Sequence, residues 1–373
     1  MSAKEFVAKL VEELGVPYID VACYKSHENI CRFAFGKGVT GKEKLYMYSC
    51  GKVITVTTAL RLVEEGKIGL DDKVSKYLPE IENAFIIDGN GEKARVGNEM
   101  TVRHLFTMTA GFDYNIHTQP IESLAKQSNG QATLRDFIPK FVESPLSFFP
   151  GERFQYSLCH DVLTAVVEVA SGKKFSSYVN EVIFSPLGMK NSGYDNDETD
   201  MADIYRASED GSLIKIVEEN ILLPTKAYES GGAGLISTVD DYSIFADALA
   251  NNGVAKNGYR VLKPETIKLM ATEQVKKMSI NSGFTCIQGD GVYGYGLGVR
   301  VRQENTDWGL EEGEFGWDGA ACSYVMIDPK NQISVFIGMH IMGWPTMFTG
   351  KHLEIVKAIY KEYFNFGSIT TRD

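Results

Sequence analysis

The stretch YSCGKVITVTTALRLVEEGKIGLDDKVSKYLPEI, residues Tyr48–Ile81, contains a serine that stands three residues before a lysine. Apolar residues recur at helical spacing between Val53 and Glu65, and Gly66 supplies a C-terminal stop. The pattern therefore predicts a helix that begins within one turn of Ser49. Because residues three apart on a helix share a face, we expect Lys52 to place its amine beside the Ser49 oxygen.

This Ser-Lys pair has the features of an activated nucleophile. A serine hydroxyl is weakly nucleophilic at neutral pH and needs a neighbouring base. Unpaired backbone N–H groups at a helix start favour developing negative charge, and burial of Lys52 would lower the pKa of its amine. The same spacing also arises by chance, with the serine as a helix cap and the lysine in solvent. The pair alone leaves both interpretations open.

The remaining patterns predict a mixed fold. VPYIDVACYK and ENICRFAFGKG alternate like the two strands of a hairpin, and YGLGVRVR, CSYVMIDPK and QISVFIGMHI indicate strands near the C-terminus. Helical periodicity dominates the middle of the chain and the closing segment HLEIVKAIYKEYF. We expect an α/β (α+β) fold in which an antiparallel sheet is flanked by helices. Residues 1–75 and 286–373 are predicted to form a discontinuous α/β domain, and residues 76–285 a mostly helical domain, with the active site at their interface.

Composition excludes several classes of function. The chain has 373 residues, a formal net charge of −11 and no run of basic residues, which argues against nucleic-acid binding. No apolar window is long enough for a membrane span, and the N-terminus lacks the apolar core of a signal peptide, so a cytoplasmic location is expected. The six cysteines show no metal-site spacing; we expect them to be reduced and the protein to need no metal or cofactor.

Several segments, in order, resemble the serine β-lactamase and penicillin-binding protein superfamily, in the class C β-lactamase branch. Ser49-Cys50-Gly51-Lys52 and the residues that follow resemble its first motif. The other matching segments are TVRHLFTMTAGF, GERFQYSLCHDVLTAVVEVASGKKFSSYVNEVIFSPLGMKNSGY, GGAGLISTVDDYSIFADALANNG and YGYGLGVRV. The resemblance implies a β-lactamase/transpeptidase-like fold and a serine hydrolase that forms an acyl-enzyme.

The resemblance also implies roles for individual residues. Ser49 would be the nucleophile, and Tyr156, in the second motif Tyr-Ser-Leu, would share the proton transfers with Lys52. Trp317, Asp318 and Gly319 align with the third motif, and the backbone N–H groups of Ser49 and Ala320 would form the oxyanion hole. Leu158 replaces the asparagine of the second motif and is expected, with the third-motif residues, to contact substrate.

The departures from the β-lactamase pattern point to esters. Leu158 removes an amide that in β-lactamases helps to hold substrate, and Trp317 stands where a lysine would meet a substrate carboxylate. Both changes are similar to family VIII carboxylesterases. Asp318 differs from their usual glycine and either pairs with an arginine of the scaffold or receives a cationic group of the substrate.

Other functions remain open at this level. Within the same family the alternatives are a β-lactamase, a D-amino-acid peptidase or an acyltransferase, and outside catalysis a peptidoglycan-type binding protein. A Ser-His-Asp hydrolase is disfavoured because no GxSxG motif occurs. Candidate pocket-lining aromatic residues, each also explained by core packing, are Tyr46, Phe112, Tyr114, Trp317 and Trp344.

Overall fold

An antiparallel sheet contributed by both ends of the chain is the centre of the fold. The computed structural model describes residues 1–36, 38–194, 199–217, 220, 222–275, 279–280 and 292–364. Among these, seven strands pair in the order β3-β4-β5-β6-β7-β1-β2. Their bounds are β1 Tyr18–Lys25, β2 Glu28–Gly36, β3 Tyr293–Tyr295, β4 Arg300–Arg302, β5 Phe315–Asp318, β6 Tyr324–Asp328 and β7 Ile333–Met339. The predicted antiparallel sheet and its N-terminal hairpin are confirmed.

Helices cover both faces of the sheet. The first helix, α1 (Ala3–Leu14), begins at a Ser2 capping box and packs with the C-terminal helix on one face. The other α-helices of five or more residues are α2 Gly51–Glu64, α3 Val102–Phe106, α4 Gln119–Gln127, α5 Leu134–Phe141, α6 Cys159–Ser171, α7 Phe175–Val179, α8 Val239–Ala250, α9 Pro264–Met270 and α10 His352–Tyr363. Helices α2 and α8 pack on the opposite face, beside the larger hydrophobic core. The mixed α/β architecture with a helical middle is confirmed.

Short elements complete the described chain. Two-stranded pairs are formed by Leu45–Tyr46 with Ile236–Ser237, by Phe85–Ile87 with Lys93–Arg95, and by Arg153–Phe154 with Ser279–Ile280. Ile204–Ala207 pairs with Leu213–Ile216 and with Ile341–Met342. The pair made by Leu45–Tyr46 lies just before the serine turn and ties it to the segment before α8.

Helix α2 is buried on nearly every side, which the predicted single apolar face did not anticipate. Its residues from Gly51 to Leu60 are all buried, and the Thr58 hydroxyl donates to the carbonyl of Ile54 at 2.8 Å. Such a bond satisfies the hydroxyl of a buried threonine, whereas the buried hydroxyl of Thr57 on the same helix has no hydrogen-bond partner among the described residues. Helix α2, which carries Lys52 and begins just after Ser49, is therefore enclosed by the rest of the fold.

One predicted strand is wrong in detail. The run YGLGVRVR is divided between β3 and β4, which are joined by a turn at Gly298. Gly298 has φ +83°, and a Cβ there would lie 2.3 Å from Cγ1 of Val56 on α2. The alternating pattern could not reveal this turn, because it depends on the close approach of α2.

The predicted domain division stays a prediction, and its boundary at residue 286 lies outside the described residues. Cys286 lies there too, while Cys23, Cys31, Cys50, Cys159 and Cys322 are buried and free. Within the described part of the chain, no helix is both long and apolar enough to cross a membrane. A cytoplasmic location also stays a prediction.

A buried charge cluster lies on the α1/α10 side of the sheet. Nη1 of Arg300 is 3.9 Å from Asp318 and its Nη2 is 3.2 Å from Glu314, and all three side chains are almost fully buried. The neighbouring Trp317 points to the other face, as alternation along a strand requires. Both carboxylate oxygens of Asp318 are inaccessible. Its placement among the substrate-contacting residues is therefore wrong, and the scaffold arginine is its partner.

Burial gives Asp318 an unusual effect on stability. Desolvation raises the pKa of the Asp318 carboxyl to about 7. The positive charge of Arg300 lowers this pKa only in part, because Arg300 also pairs with Glu314. Between the ordinary aspartate pKa and 7, the folded protein therefore holds a proton that the unfolded chain releases. Stability is accordingly lost as pH rises through this window, by at most about 1.4 kcal/mol per pH unit.

We predict that Asp318→Asn removes this contribution, so that the free energy of unfolding falls less between pH 4 and pH 7 than in the wild type. Urea unfolding at several pH values measures the difference. Asp71→Asn, which changes a largely exposed carboxylate, is the control and should keep the wild-type slope in this window. An Asp318→Asn slope equal to that of the wild type would contradict the assignment.

Candidate active site

The serine lies in a constrained turn that leads into α2. Residues Tyr48–Cys50 form one turn of 3₁₀-helix, and Tyr48 has φ +45°, a left-handed conformation that is rare for a tyrosine. The Tyr242 hydroxyl, from α8, donates to the carbonyl of Cys50 at 2.6 Å. The turn is thereby held from the side of the core, and Ser49 is only 7% exposed.

Lys52 is fully buried beside this serine. Its Nζ lies 3.1 Å from Ser49 Oγ, 2.5 Å from the carbonyl oxygen of Gly232 and 3.2 Å from the hydroxyl of Tyr114. Burial lowers the pKa of Lys52 to about 7, although the negative charge of Asp161 acts in the opposite direction. The amine is therefore partly neutral at physiological pH and able to accept a proton.

Tyr156 contacts the same serine oxygen. Its phenol donates to Ser49 Oγ at 2.7 Å and accepts a bond from Nε1 of Trp317 at 3.3 Å. Burial raises the pKa of Tyr156, and the bonds with Ser49 and Trp317 offset this only in part. Tyr156 is consequently a neutral phenol near pH 7, better suited to deliver a proton than to remove one.

Three aromatic rings form a stack over the lysine. The ring centroids of Tyr114 and Tyr156 are 5.6 Å apart at an interplanar angle of 17°, and those of Tyr156 and Trp317 are 5.6 Å apart at 20°. Nζ of Lys52 is 4.8 Å from the centroid of Tyr156. Offset stacking of this kind fixes ring orientation, so the phenol of Tyr156 has little freedom to leave the serine.

The end of β5 lies against the serine turn. A Cβ on Gly319 would come within 2.6 Å of the carbonyl oxygen of Met47, so only glycine permits this approach. The close contact brings the backbone that follows, including Ala320, alongside the turn that carries Ser49. The oxyanion hole formed by the N–H groups of Ser49 and Ala320 stays a prediction.

Leu158 stands at the start of α6, two residues after Tyr156. Its side chain is 6% exposed and belongs to the large core, and its backbone N–H donates to the carbonyl of Asp113 at 3.0 Å. The structure thus places Leu158 next to the tyrosine segment, and its contact with substrate stays a prediction. The serine, lysine, tyrosine and tryptophan meet at one point, whereas Asp318 does not join them.

The buried histidines serve the scaffold. Ring nitrogens of His160, His340 and His352 lie 3.3, 3.0 and 2.9 Å from backbone carbonyl oxygens, and burial lowers the pKa of each. In the part of the chain that the structure describes, no His, Cys, Asp and Glu side chains are grouped to hold a metal ion.

Sequence patterns missed the partners of Lys52. Tyr114 was indicated only as a possible pocket-lining residue, and Gly232 and Asp161 were not indicated as site residues. The GGAG run at 231–234 was the one available signal, because paired glycines often mark close approach of backbone to a site. Their roles follow from distances that a single sequence does not contain.

Known proteins with related sequences include two esterases. Esterase EstB of Burkholderia gladioli is 30% identical over 229 residues, 55% of this chain and 56% of the relative. Lovastatin esterase of Penicillium rubens is 27% identical over 320 residues, 78% of this chain and 77% of the relative. The structure of EstCE1, described as a hydrolase with promiscuous acyltransferase activity, superposes with a TM-score of 0.77 at 24% identity, covering 96% of this chain and 97% of that chain.

The family model described as Beta-lactamase matches residues 3–358, nearly the whole chain. The predicted resemblance to serine β-lactamases and penicillin-binding proteins is therefore confirmed. The match includes the Ser49 turn, α2 and the sheet that supports them. The chain belongs to the Beta-lactamase family and is a serine hydrolase.

Proposed function

We propose that the protein is a carboxylesterase-like hydrolase of small-molecule esters that works through an acyl-enzyme on Ser49. One observation carries the proposal: Ser49 Oγ lies between the Lys52 amine, 3.1 Å away, and the Tyr156 phenol, 2.7 Å away. A nucleophile in contact with both a proton acceptor and a proton donor meets the geometric requirement for acyl transfer. A binding protein has no physical need for this arrangement.

The residues divide the proton transfers between them. Neutral Lys52 takes the hydroxyl proton as Ser49 Oγ bonds to the ester carbonyl carbon. When the tetrahedral intermediate collapses, the carbon–oxygen bond to the alcohol breaks and Tyr156 donates its proton to the leaving oxygen. Lys52, now protonated, gives up its extra proton to the tyrosinate, which restores the neutral amine and the phenol. Water then attacks the acyl carbon, and the same groups act in reverse to release acid and restore Ser49.

The negative oxygen of the intermediate needs donors of its own. The backbone N–H groups of Ser49 and Ala320 are proposed for this role, because the Gly319 contact with Met47 brings their two segments together. Each such donor contributes roughly a hundredfold to a thousandfold in rate. Preorganised backbone donors require no reorientation during the reaction.

Esters are favoured over β-lactams and peptide C-termini. Trp317 stands where the family resemblance implies a lysine, and its indole is occupied with the stack on Tyr156 and offers no charge to a substrate carboxylate. Leu158 likewise offers no amide. The names of EstB and lovastatin esterase support this choice. The alternatives are a D-amino-acid peptidase, a β-lactamase and an acyltransferase, and the assays below separate the last two from an esterase.

We predict hydrolysis of short p-nitrophenyl esters and little turnover of a chromogenic cephalosporin. Ser49→Ala should lower kcat/KM for the ester by at least about a thousandfold, because the covalent route is lost. Ser243→Ala, which removes a buried serine hydroxyl on α8, is the matched control and should stay close to wild type. Faster turnover of the cephalosporin than of every ester would contradict the proposal, and added alcohols would reveal acyl transfer.

The pH profile should report Lys52. Because burial lowers the pKa of this amine to about 7, its neutral, proton-accepting form grows as pH rises through that value. We therefore predict that kcat/KM increases with pH along a limb with an apparent pKa near 7 and then levels. A stopped assay across pH 5–9 measures it. Activity that is constant across the whole range would show that no lysine titration limits acylation.

Trp317→Phe tests the bond to Tyr156. Phenylalanine keeps an aromatic ring in the stack but removes the Nε1 donor, so kcat should fall about fivefold to tenfold while KM changes little. Trp308→Phe is the matched control, since Trp308 packs edge-on against Tyr360 in the other core. Equal kcat values in the two variants would show that the indole N–H has no part in positioning Tyr156.

A further inference from the structure

A buried carboxylate lies beside the backbone turn that receives Lys52. Asp161 is on α6 and only 1% exposed, and its Oδ1 accepts a hydrogen bond from the Ser230 hydroxyl at 2.5 Å. The same hydroxyl oxygen accepts the backbone N–H of Ala233 at 2.9 Å. The second oxygen of Asp161, Oδ2, is buried and has no hydrogen-bond partner in the described structure. The catalytic steps above give this carboxylate no role.

The turn that Asp161 anchors is the one that receives the lysine. The carbonyl of Gly232 accepts the bond from Lys52, and a Cβ on the same glycine would lie 2.5 Å from Oδ2 of Asp161. The carboxylate and the amine therefore both adjoin one glycine backbone unit. The N–H of Gly234 bonds to the carbonyl of Ser230 at 2.8 Å, which closes the turn on itself.

Both neighbouring helices hold the turn in place. The Thr55 hydroxyl on α2 donates to the carbonyl of Gly231 at 2.7 Å, and a Cβ on Gly231 would lie 1.9 Å from Oγ1 of Thr164 on α6. The chain passes between α2 and α6 with space for glycine alone. A small displacement of this turn would move the oxygen that fixes Lys52.

The charge of Asp161 also acts on the amine. Burial raises the pKa of the carboxyl, while the Ser230 bond and the positive lysine favour its charged form. The charge in turn opposes the effect of burial on Lys52. The titratable groups that share this interior region come from the serine turn and α2, the chain between α3 and α6, the start of α6, and the chain between α7 and α8: they are Cys50, Lys52, Tyr114, Tyr156, Cys159, His160, Tyr194 and Tyr228.

We propose that Asp161 is a positioning residue for Lys52: it anchors the Ser230–Ala233 turn whose Gly232 carbonyl receives the lysine, and its negative charge acts on the amine beside that turn. The charge of Asp161 favours the protonated form of Lys52 at low pH. The turn that Asp161 anchors orients the amine toward Ser49. The inference deepens the proposed function and rests on it for its catalytic meaning, although the effect on Lys52 is measurable without substrate.

The test compares Asp161→Asn with the wild type by two readouts. Asparagine can still accept the Ser230 bond but carries no charge, so the Lys52 pKa should fall by about half a unit or more. The ¹³Cε resonance of Lys52, assigned by its loss in Lys52→Arg, reports the titration directly. The acid limb of kcat/KM should move to lower pH by the same amount, and a purely structural role would move neither.

Two further variants complete the design. Ser230→Ala removes the bond that favours the carboxylate and loosens the turn, so it should lower kcat and shift Lys52 in the same direction by less. Ser230→Ala also replaces Asp161→Asn as the test variant if Asp161→Asn does not fold. Asp328→Asn changes a buried acid bonded to Tyr360, far from Lys52 along the sheet, and should leave the Lys52 titration unchanged.

The outcomes separate the inference from the function. An unchanged Lys52 pKa in folded Asp161→Asn, or in Ser230→Ala where only that variant folds, overturns the inference whatever the activity. A shifted Lys52 pKa in a protein whose wild type shows no Ser49-dependent ester hydrolysis supports the inference and overturns the proposed function. A shift of the Lys52 pKa of similar size in Asp328→Asn would overturn the inference, because the effect would not be specific to Asp161.

Discussion

The burial of one amine is the constraint on which the site depends. A lysine side chain removed from water loses the hydration that favours its charge, and its partners at hydrogen-bond distance among the described residues are polar and neutral: a hydroxyl, a phenol and a backbone carbonyl. The amine is thereby left near the point where it can gain or lose a proton at physiological pH. A solvated lysine at the same spacing from Ser49 would stay charged and could not serve as the base.

The fold explains how that burial is achieved. Helix α2 passes through the middle of the molecule with the sheet on one side and α6 on another, so a long polar side chain at its first turn has no route to solvent. The aromatic rings of Tyr114, Tyr156 and Trp317 close the remaining side. Apolar packing and aromatic stacking together limit the movement of the three reactive groups, which favours a preorganised site.

Much of this arrangement follows from sequence patterns. Helical periodicity and a serine–lysine spacing were enough to predict α2 and the contact between the two side chains, since both depend on local geometry. Strand alternation predicted the sheet, but not the break at Gly298, which depends on a helix more than two hundred residues away in the chain. The orientation of Asp318 depends on which face of β5 it occupies, and a motif alignment carries no such information. Tyr114 and Asp161 reach Lys52 through tertiary contacts alone.

Direct capture of the acyl group tests the central claim, that a buried neutral amine makes the Ser49 hydroxyl reactive. The wild-type enzyme is mixed with p-nitrophenyl butyrate above pH 7, quenched in acid within the first turnover, and its intact mass and proteolytic peptides are measured. We expect a mass increase equal to one butyryl group, located on the peptide that contains Ser49. Release of nitrophenol with no covalent adduct, or an adduct on another residue, would contradict the claim.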